Sequence, residues 1–205
     1  MDILIVILFA ITLLYFSITE RFRIYTNLVC FQGFLLFALA LFELKALTIG
    51  NFLFVSSETL IFKGIAVPFL LYKIINKTGE ERVHVKALPG LFSLIFVSIG
   101  LLLSIIIAYS LKTRLGNITY FIVSFFALYT GLFLITSHKK IFSHLIGFLV
   151  IENAVFLFSL TIGNEMPMLI NIAILLDIFA SILILGIFAM RLKQHTDDLT
   201  MLKDE

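Results

Sequence analysis

Cysteine is nearly absent from this sequence: Cys30 is the one cysteine among 205 residues. A single cysteine excludes an intramolecular disulfide and an iron–sulfur cluster held by cysteines of this chain. Histidine is also scarce, and all four histidines fall in predicted loops or at predicted helix ends, which argues against a haem held inside a membrane: His84, His138, His144 and His195. The sequence has no metal-ligand motif, nucleophile–base pair or phosphate-binding loop. We therefore expect no cofactor and no catalytic chemistry in this chain.

Charged residues are also scarce and make up 14% of the chain. Soluble domains have about 25% charged residues and 45–50% apolar residues. Here 61% of the residues are hydrophobic and the mean hydropathy is +1.13. The composition predicts an integral membrane protein and argues against nucleic acid as a partner. The net charge of +2 adds little to this conclusion.

No basic residue precedes the first apolar run, MDILIVILFA, as a cleaved signal peptide would require. We expect residues 1–19 to form a retained first transmembrane helix. A membrane helix needs about 20 apolar residues, and the sequence predicts an all-α fold with about seven of them. They are expected at 2–19, 24–47, 53–76, 89–111, 116–137, 143–163 and 167–191.

The lysines and arginines predict the orientation, because cytoplasmic loops are enriched in positive charge. Eleven of them fall in the loops after the first, third and fifth predicted helices and in the C-terminal tail, and three fall on the opposite side. We therefore expect the N-terminus outside and the C-terminus in the cytoplasm.

A weak internal repeat relates IYTNLVCF (24–31) to IFSHLIGF (141–148). If real, it makes the first three predicted helices a parallel copy of the last three. Chance similarity between two apolar helices is the competing explanation. The predicted organisation is an N-terminal three-helix unit, a connecting helix, a second three-helix unit and a polar tail, at 1–88, 89–115, 116–193 and 194–205.

Four ionisable residues fall inside predicted spans: Glu58, Lys63, Glu152 and Asp177. Each charged group costs roughly 2.5–3.5 kcal/mol near a helix centre, so such groups normally face the bundle interior, pair or titrate. Groups with perturbed ionisation can take up and release protons. The pattern predicts a buried proton relay. The alternative is that the charges neutralise one another and only hold the bundle together.

Several polar residues and one proline are candidates to support these charges. Asn171 and Ser181 share the last predicted helix with Asp177, and Gln32 and Asn153 are expected to form hydrogen bonds between helices. Pro68 predicts a kink just beyond Lys63 that frees a backbone carbonyl. Glu58 precedes Lys63 by five residues, about 140° around an α-helix, so these two are not expected to pair.

The segment HLIGFLVIENAVFLFSL (144–160), with the helix around Asp177, resembles subunit K of NADH:quinone oxidoreductase and the C-type subunit of multisubunit sodium/proton antiporters. The matching features are LIG (145–147) leading to Glu152 and a second acid in the following helix. The sequence departs from that pattern in having aspartate rather than glutamate at 177, and a shorter loop before it. By length and helix count, the whole chain is similar to hydrogenase-4 component E.

This resemblance implies a membrane subunit of a hydrogenase-4, formate hydrogenlyase-type or complex I-like assembly in the cytoplasmic membrane of a bacterium or archaeon. Antiporter-like and hydrogenase-like membrane subunits would be its partners. Glu152 and Asp177 would relay protons, Lys63 would be their counter-charge, and Glu58 would receive protons at one end. The other hypotheses are a stand-alone secondary transporter or channel and a purely structural assembly subunit.

Overall fold

The computed structural model describes residues 2–43, 58–78, 90–111, 116–138 and 141–161. Within these ranges every regular element is helical. A π-helical segment, Glu58–Ala66, runs directly into α3. The α-helices are α1 (Asp2–Ile18), α2 (Phe22–Glu43), α3 (Val67–Thr78), α4 (Gly90–Ser110), α5 (Ile118–Ser137) and α6 (Ile141–Thr161).

The all-helical membrane architecture predicted from the sequence is confirmed, whereas the count of seven spans is not. Among the described residues, four helices are long and apolar enough to cross a membrane: Phe22–Phe42, Gly90–Ser110, Ile118–Ser137 and Phe142–Thr161. The first helix, Asp2–Ile18, is apolar but shorter. The helix predicted at 167–191 and the tail at 194–205 lie outside the described residues. The division into repeated units stays a prediction.

The turn between α1 and α2 and the turn between α5 and α6 lie at the same end of the bundle. The rings of Phe22 and Phe142 are 4.5 Å apart, and Tyr25 meets His138 edge-on at 6.4 Å. Tyr25 also donates a hydrogen bond to the carbonyl of Thr19, at 3.2 Å. The positive charges predict that these two turns lie on one side of the membrane. The aromatic contacts place them at one end of the bundle.

Helices α5 and α6 are antiparallel neighbours in direct backbone contact. At one end, the Asn117 N–H donates to the Thr161 carbonyl at 3.3 Å, and the Asn117 side chain caps α5 by accepting from Thr119 and Tyr120. Along the helices, a Cβ on Gly131 would lie 2.6 Å from the Gly147 carbonyl oxygen, and the reverse distance is 2.7 Å. Two glycines therefore permit the close crossing, as small residues commonly do in membranes.

Helix α4 lies at the periphery, against α1 and α5. Its buried positions carry mostly small residues, Ser93, Val97, Gly100, Ser104 and Ala108. Its large apolar residues point outward, as in Leu91, Leu102 and Ile106. An apolar outer face suits a helix that borders lipid, because apolar side chains that face the hydrocarbon core are not exposed to water.

Gly100→Ala is expected to destabilise the bundle by about 1 kcal/mol, the lower end of the range for overpacking. A Cβ at this position would overlap the ring of Tyr129 on α5. The cost is small because the obstacle is a side chain that can rotate. The measurement is unfolding by denaturing detergent, repeated in a Tyr129→Leu background, where we expect no cost. An equal cost in both backgrounds would contradict this explanation.

Candidate functional site

A buried ion pair joins the π-helical segment to α6. The Nζ of Lys63 lies 3.8 Å from Oε1 of Glu152. Lys63 is 4% exposed and Glu152 is 5% exposed, so the pair is almost completely removed from the surface. The separation exceeds that of a direct hydrogen bond, and the interaction is mainly Coulombic attraction. Two residues that hydropathy alone marked as anomalous therefore compensate each other.

The pair lies near the middle of the helices that hold it. Glu152 follows the first residue of α6, Ile141, by eleven residues. At a rise of 1.5 Å per residue this is about 16 Å, roughly half of the 30 Å hydrocarbon core. Gln32, which belongs to the same polar cluster, lies ten residues into α2, or about 15 Å. The cluster thus occupies the mid-depth of the bundle.

A chain of hydrogen bonds runs from the ion pair to α1. Lys63 Nζ donates to Oδ1 of Asn153 at 3.4 Å, and Nδ2 of Asn153 donates to Oε1 of Gln32 at 3.1 Å. Gln32 Nε2 then donates to Oγ1 of Thr12 at 2.8 Å, and Thr12 donates to the carbonyl of Phe9 at 2.6 Å. These bonds join the π-helical segment, α6, α2 and α1.

An aromatic ring completes the environment of the lysine. The Nζ of Lys63 lies 5.6 Å from the centroid of the Phe156 ring. Phe156 follows Glu152 by four residues on α6, so both occupy one face of that helix. A cation over an aromatic face gains about 2 kcal/mol when water is excluded. The carboxylate, the amide oxygen and the ring therefore all favour a positive charge at this point.

Lys63 lies within the π-helical segment, and this corrects the helical phase used in the sequence analysis. The 140° separation of Glu58 and Lys63 assumed an α-helix. A π-helix pairs residue i with i+5, so the α-helical phase does not apply here, and the expectation that Glu58 and Lys63 do not pair stays a prediction. Glu58 begins the segment, and its side chain lies outside the described residues. π-Helical turns are rare and occur frequently at functional sites.

Pro68 follows the π-helical segment by two residues and is buried in α3. Its missing N–H cannot pair with the carbonyl four residues earlier, which belongs to Gly64. That carbonyl accepts a hydrogen bond from the thiol of Cys30 on α2, with Sγ and O 3.2 Å apart. The backbone carbonyl that Pro68 is predicted to free thus accepts a hydrogen bond from another helix.

The backbone of α2 touches the π-helical segment one turn beyond Cys30. A Cβ on Gly33 would lie 2.8 Å from the Gly64 nitrogen and 2.8 Å from the Lys63 carbonyl carbon. Contacts this short between a Cβ and backbone atoms are essentially never found. Glycine at 33 therefore allows the approach that sets the position of Lys63.

Of the residues selected from the sequence, the structure brings together Lys63, Glu152, Asn153 and Gln32. Asp177, Asn171 and Ser181 lie outside the described residues, so their roles stay predictions. Thr12, Phe156 and Gly33 were not selected from the sequence. The period of α6 could have indicated Phe156, four residues after Glu152, and Thr12 is a polar residue at mid-depth in the first apolar run.

The chemistry available to this cluster is the exchange of a proton between a carboxylate and an amine. Each group has a neutral and a charged form, and each influences the other at 3.8 Å. Within the described part of the chain, no group of three or more His, Cys, Asp or Glu residues could hold a metal ion.

Comparison of the chain with protein-family models, with curated proteins and with solved structures found no match.

Proposed function

We propose that this chain is a multi-pass membrane subunit whose Lys63–Glu152 pair takes part in moving protons, or sodium ions, across the bilayer. In this proposal it belongs to a hydrogenase-4-like or complex I-like assembly of a bacterial or archaeal cytoplasmic membrane. Electron transfer occurs in partner subunits that resemble hydrogenases and antiporters. The chain would cross the membrane seven times, with the N-terminus outside and the C-terminus in the cytoplasm. The observation that carries the proposal is the ion pair at mid-depth.

The energetics of the pair favour a role in charge movement over one in stability. At 3.8 Å, the attraction is about 4 kcal/mol for an effective dielectric constant of about 20. Removing each ion from water costs several kcal/mol, so attraction and desolvation roughly cancel. Apolar side chains of similar volume would hold the helices together at least as well. A function that needs ionisable groups explains the pair better.

In the proposed cycle, Glu152 accepts a proton when the charge of Lys63 is withdrawn or compensated by a neighbouring subunit. It releases the proton when Lys63 is again cationic beside it. Asp177 would continue the path along the last helix, and Glu58 would receive protons at one end. These last two roles rest on the sequence alone.

A structural assembly subunit is the second candidate, and one observation favours it. The hydrogen bonds from Lys63 to Phe9 join helices that are distant in the sequence. A satisfied polar network can fix a unique arrangement of helices. Under this candidate the charges maintain the bundle and do not move.

Glu152→Gln in the assembled complex separates the two candidates, because it keeps the side-chain shape and removes the proton site. We expect ion movement per electron pair to fall at least tenfold in the complex that assembles. The measurement uses a pH-sensitive dye in sealed vesicles, driven by the electron-transfer reaction of the complex. Glu20→Gln, at an exposed carboxylate outside the polar cluster, is the control, and we expect it to leave ion movement at the wild-type value.

A structural role predicts the opposite result for Glu152→Gln: a lower yield of complex, with full ion movement in the complex that remains. Purification in mild detergent tests the assembly itself. We expect hydrogenase-like and antiporter-like subunits to copurify. A monodisperse single chain that moves ions without partners would instead establish a stand-alone transporter.

A further inference from the structure

The hydrogen bonds between Phe9 and Lys63 can run in one direction only. A backbone carbonyl accepts and never donates, so the Thr12 hydroxyl must donate to Phe9, at 2.6 Å. The Thr12 oxygen then accepts from the Gln32 amide nitrogen at 2.8 Å. This orientation turns the Gln32 oxygen towards Asn153, which donates to it at 3.1 Å.

This direction determines which atom of Asn153 faces Lys63, at the other end of the series of hydrogen bonds. Because the Asn153 nitrogen is directed at Gln32, its oxygen faces Lys63, with 3.4 Å between Oδ1 and Nζ. An ammonium group has three donors and no acceptor, so it matches an amide oxygen and not an amide nitrogen. The carbonyl of Phe9 on α1 thus determines which atom of Asn153 meets the lysine.

We infer that Thr12, Gln32 and Asn153 are positioning residues that hold the amide oxygen of Asn153 towards Lys63. They have no ionisable group and do not carry the translocated proton. The exchanging groups in this cluster are then Lys63 and Glu152, and α1 acts through the amides to present an acceptor to the lysine. The consequence for ion movement rests on the proposed function, whereas the orientation of Asn153 does not.

Thr12→Val and Thr12→Ser form the test, because valine matches threonine in shape and serine keeps the hydroxyl. With valine, Gln32 loses the acceptor that orients it, and the oxygen of Asn153 is no longer directed at Lys63. We expect the hydrogen bond from Lys63 Nζ to Oδ1 of Asn153 to be lost in Thr12→Val and kept in Thr12→Ser.

The measurement is the ¹⁵N resonance of Lys63 Nζ in the full chain labelled with ¹⁵N-lysine in lipid bilayers, assigned by its loss in Lys63→Arg. We expect this resonance to move in Thr12→Val, because the hydrogen bond to Asn153 is lost, and an unchanged resonance would overturn the inference. An equal movement in Thr12→Ser would also overturn it, since that result would indicate packing and not hydrogen bonding.

Gln32→Leu and Gln32→Glu provide a second pair should Thr12→Val fail to fold. Glutamate offers Asn153 an oxygen whether or not it is protonated, and leucine offers none. We expect the hydrogen bond from Lys63 to Asn153 to be lost with leucine and kept with glutamate, and the same Lys63 resonance in both variants would overturn the inference. Unimpaired ion movement in Glu152→Gln removes the proposed function without affecting this resonance, so the two failures are distinguishable.

Discussion

Lys63→Met is expected to lower the free energy of unfolding by about 3–5 kcal/mol, the usual cost of removing one partner of a buried ion pair. Methionine fills much of the volume of lysine and adapts its shape, so lost packing contributes little. The cost arises because Glu152, which is 5% exposed, keeps a carboxylate without its counter-charge or must take up a proton. In the assembled complex we also expect ion movement to be lost.

Glu152→Gln should be milder than Lys63→Met, at about 1–3 kcal/mol, the usual cost of leaving a buried polar group unsatisfied. The ammonium of Lys63 then keeps the oxygen of Asn153 and gains the oxygen of the new amide. The double variant, Lys63→Met with Glu152→Gln, removes both charges and is expected to recover most of the lost stability.

The measurement is steric trapping or titration with a denaturing detergent, with Lys73→Met as the matched control. Lys73 is exposed on α3, and we expect a change within about 0.5 kcal/mol there. A double variant as unstable as Lys63→Met alone would show that packing, and not the carboxylate that loses Lys63, causes the loss.

Gly33→Ala is expected to destabilise the chain by about 2–3 kcal/mol, towards the upper end of the range for overpacking. The three atoms nearest to the added Cβ all belong to the backbone of Lys63 and Gly64, at 2.8–2.9 Å. Backbone cannot rotate aside as a side chain can, so α2 and the π-helical segment must separate. This separation displaces Lys63 relative to Glu152, and we expect ion movement to fall as well.

Gly90→Ala provides the control for this prediction, because a Cβ at Gly90 meets nothing within 4 Å. Alanine is intrinsically preferred over glycine in helices by about 1 kcal/mol, so a net loss at position 33 must come from the contact. Equal unfolding free energies for the two variants, measured by the same detergent titration, would refute the predicted close approach.

The sequence predicted the helices well because long apolar runs and their interruptions are local signals. The expected boundaries 2–19 and 116–137 differ little from those of α1 and α5. The π-helical segment was not predictable in this way. Its extra residue per turn leaves hydropathy unchanged, and an α-helical period applied across it gives the wrong phase for Glu58 and Lys63.

The candidate site shows a similar limit. Hydropathy marked Lys63 and Glu152 as costly, but their pairing depends on packing between helices that are distant in the sequence. The mid-depth position of Thr12 is a weak signal, because a threonine commonly satisfies itself on the preceding turn. Its hydroxyl does bond Phe9, and only the position of Gln32 reveals that it also accepts a second bond.

The wide sequence separation within the polar cluster has a consequence for biosynthesis. Lys63 and Asn153 are 90 residues apart, and ribosomes add about 5–20 residues per second. About 5–18 s therefore pass between the synthesis of the lysine and that of the acid beside it. During this interval Lys63 lacks both Glu152 and Asn153. We expect the segment that carries it to remain at the insertion machinery until the later helix arrives.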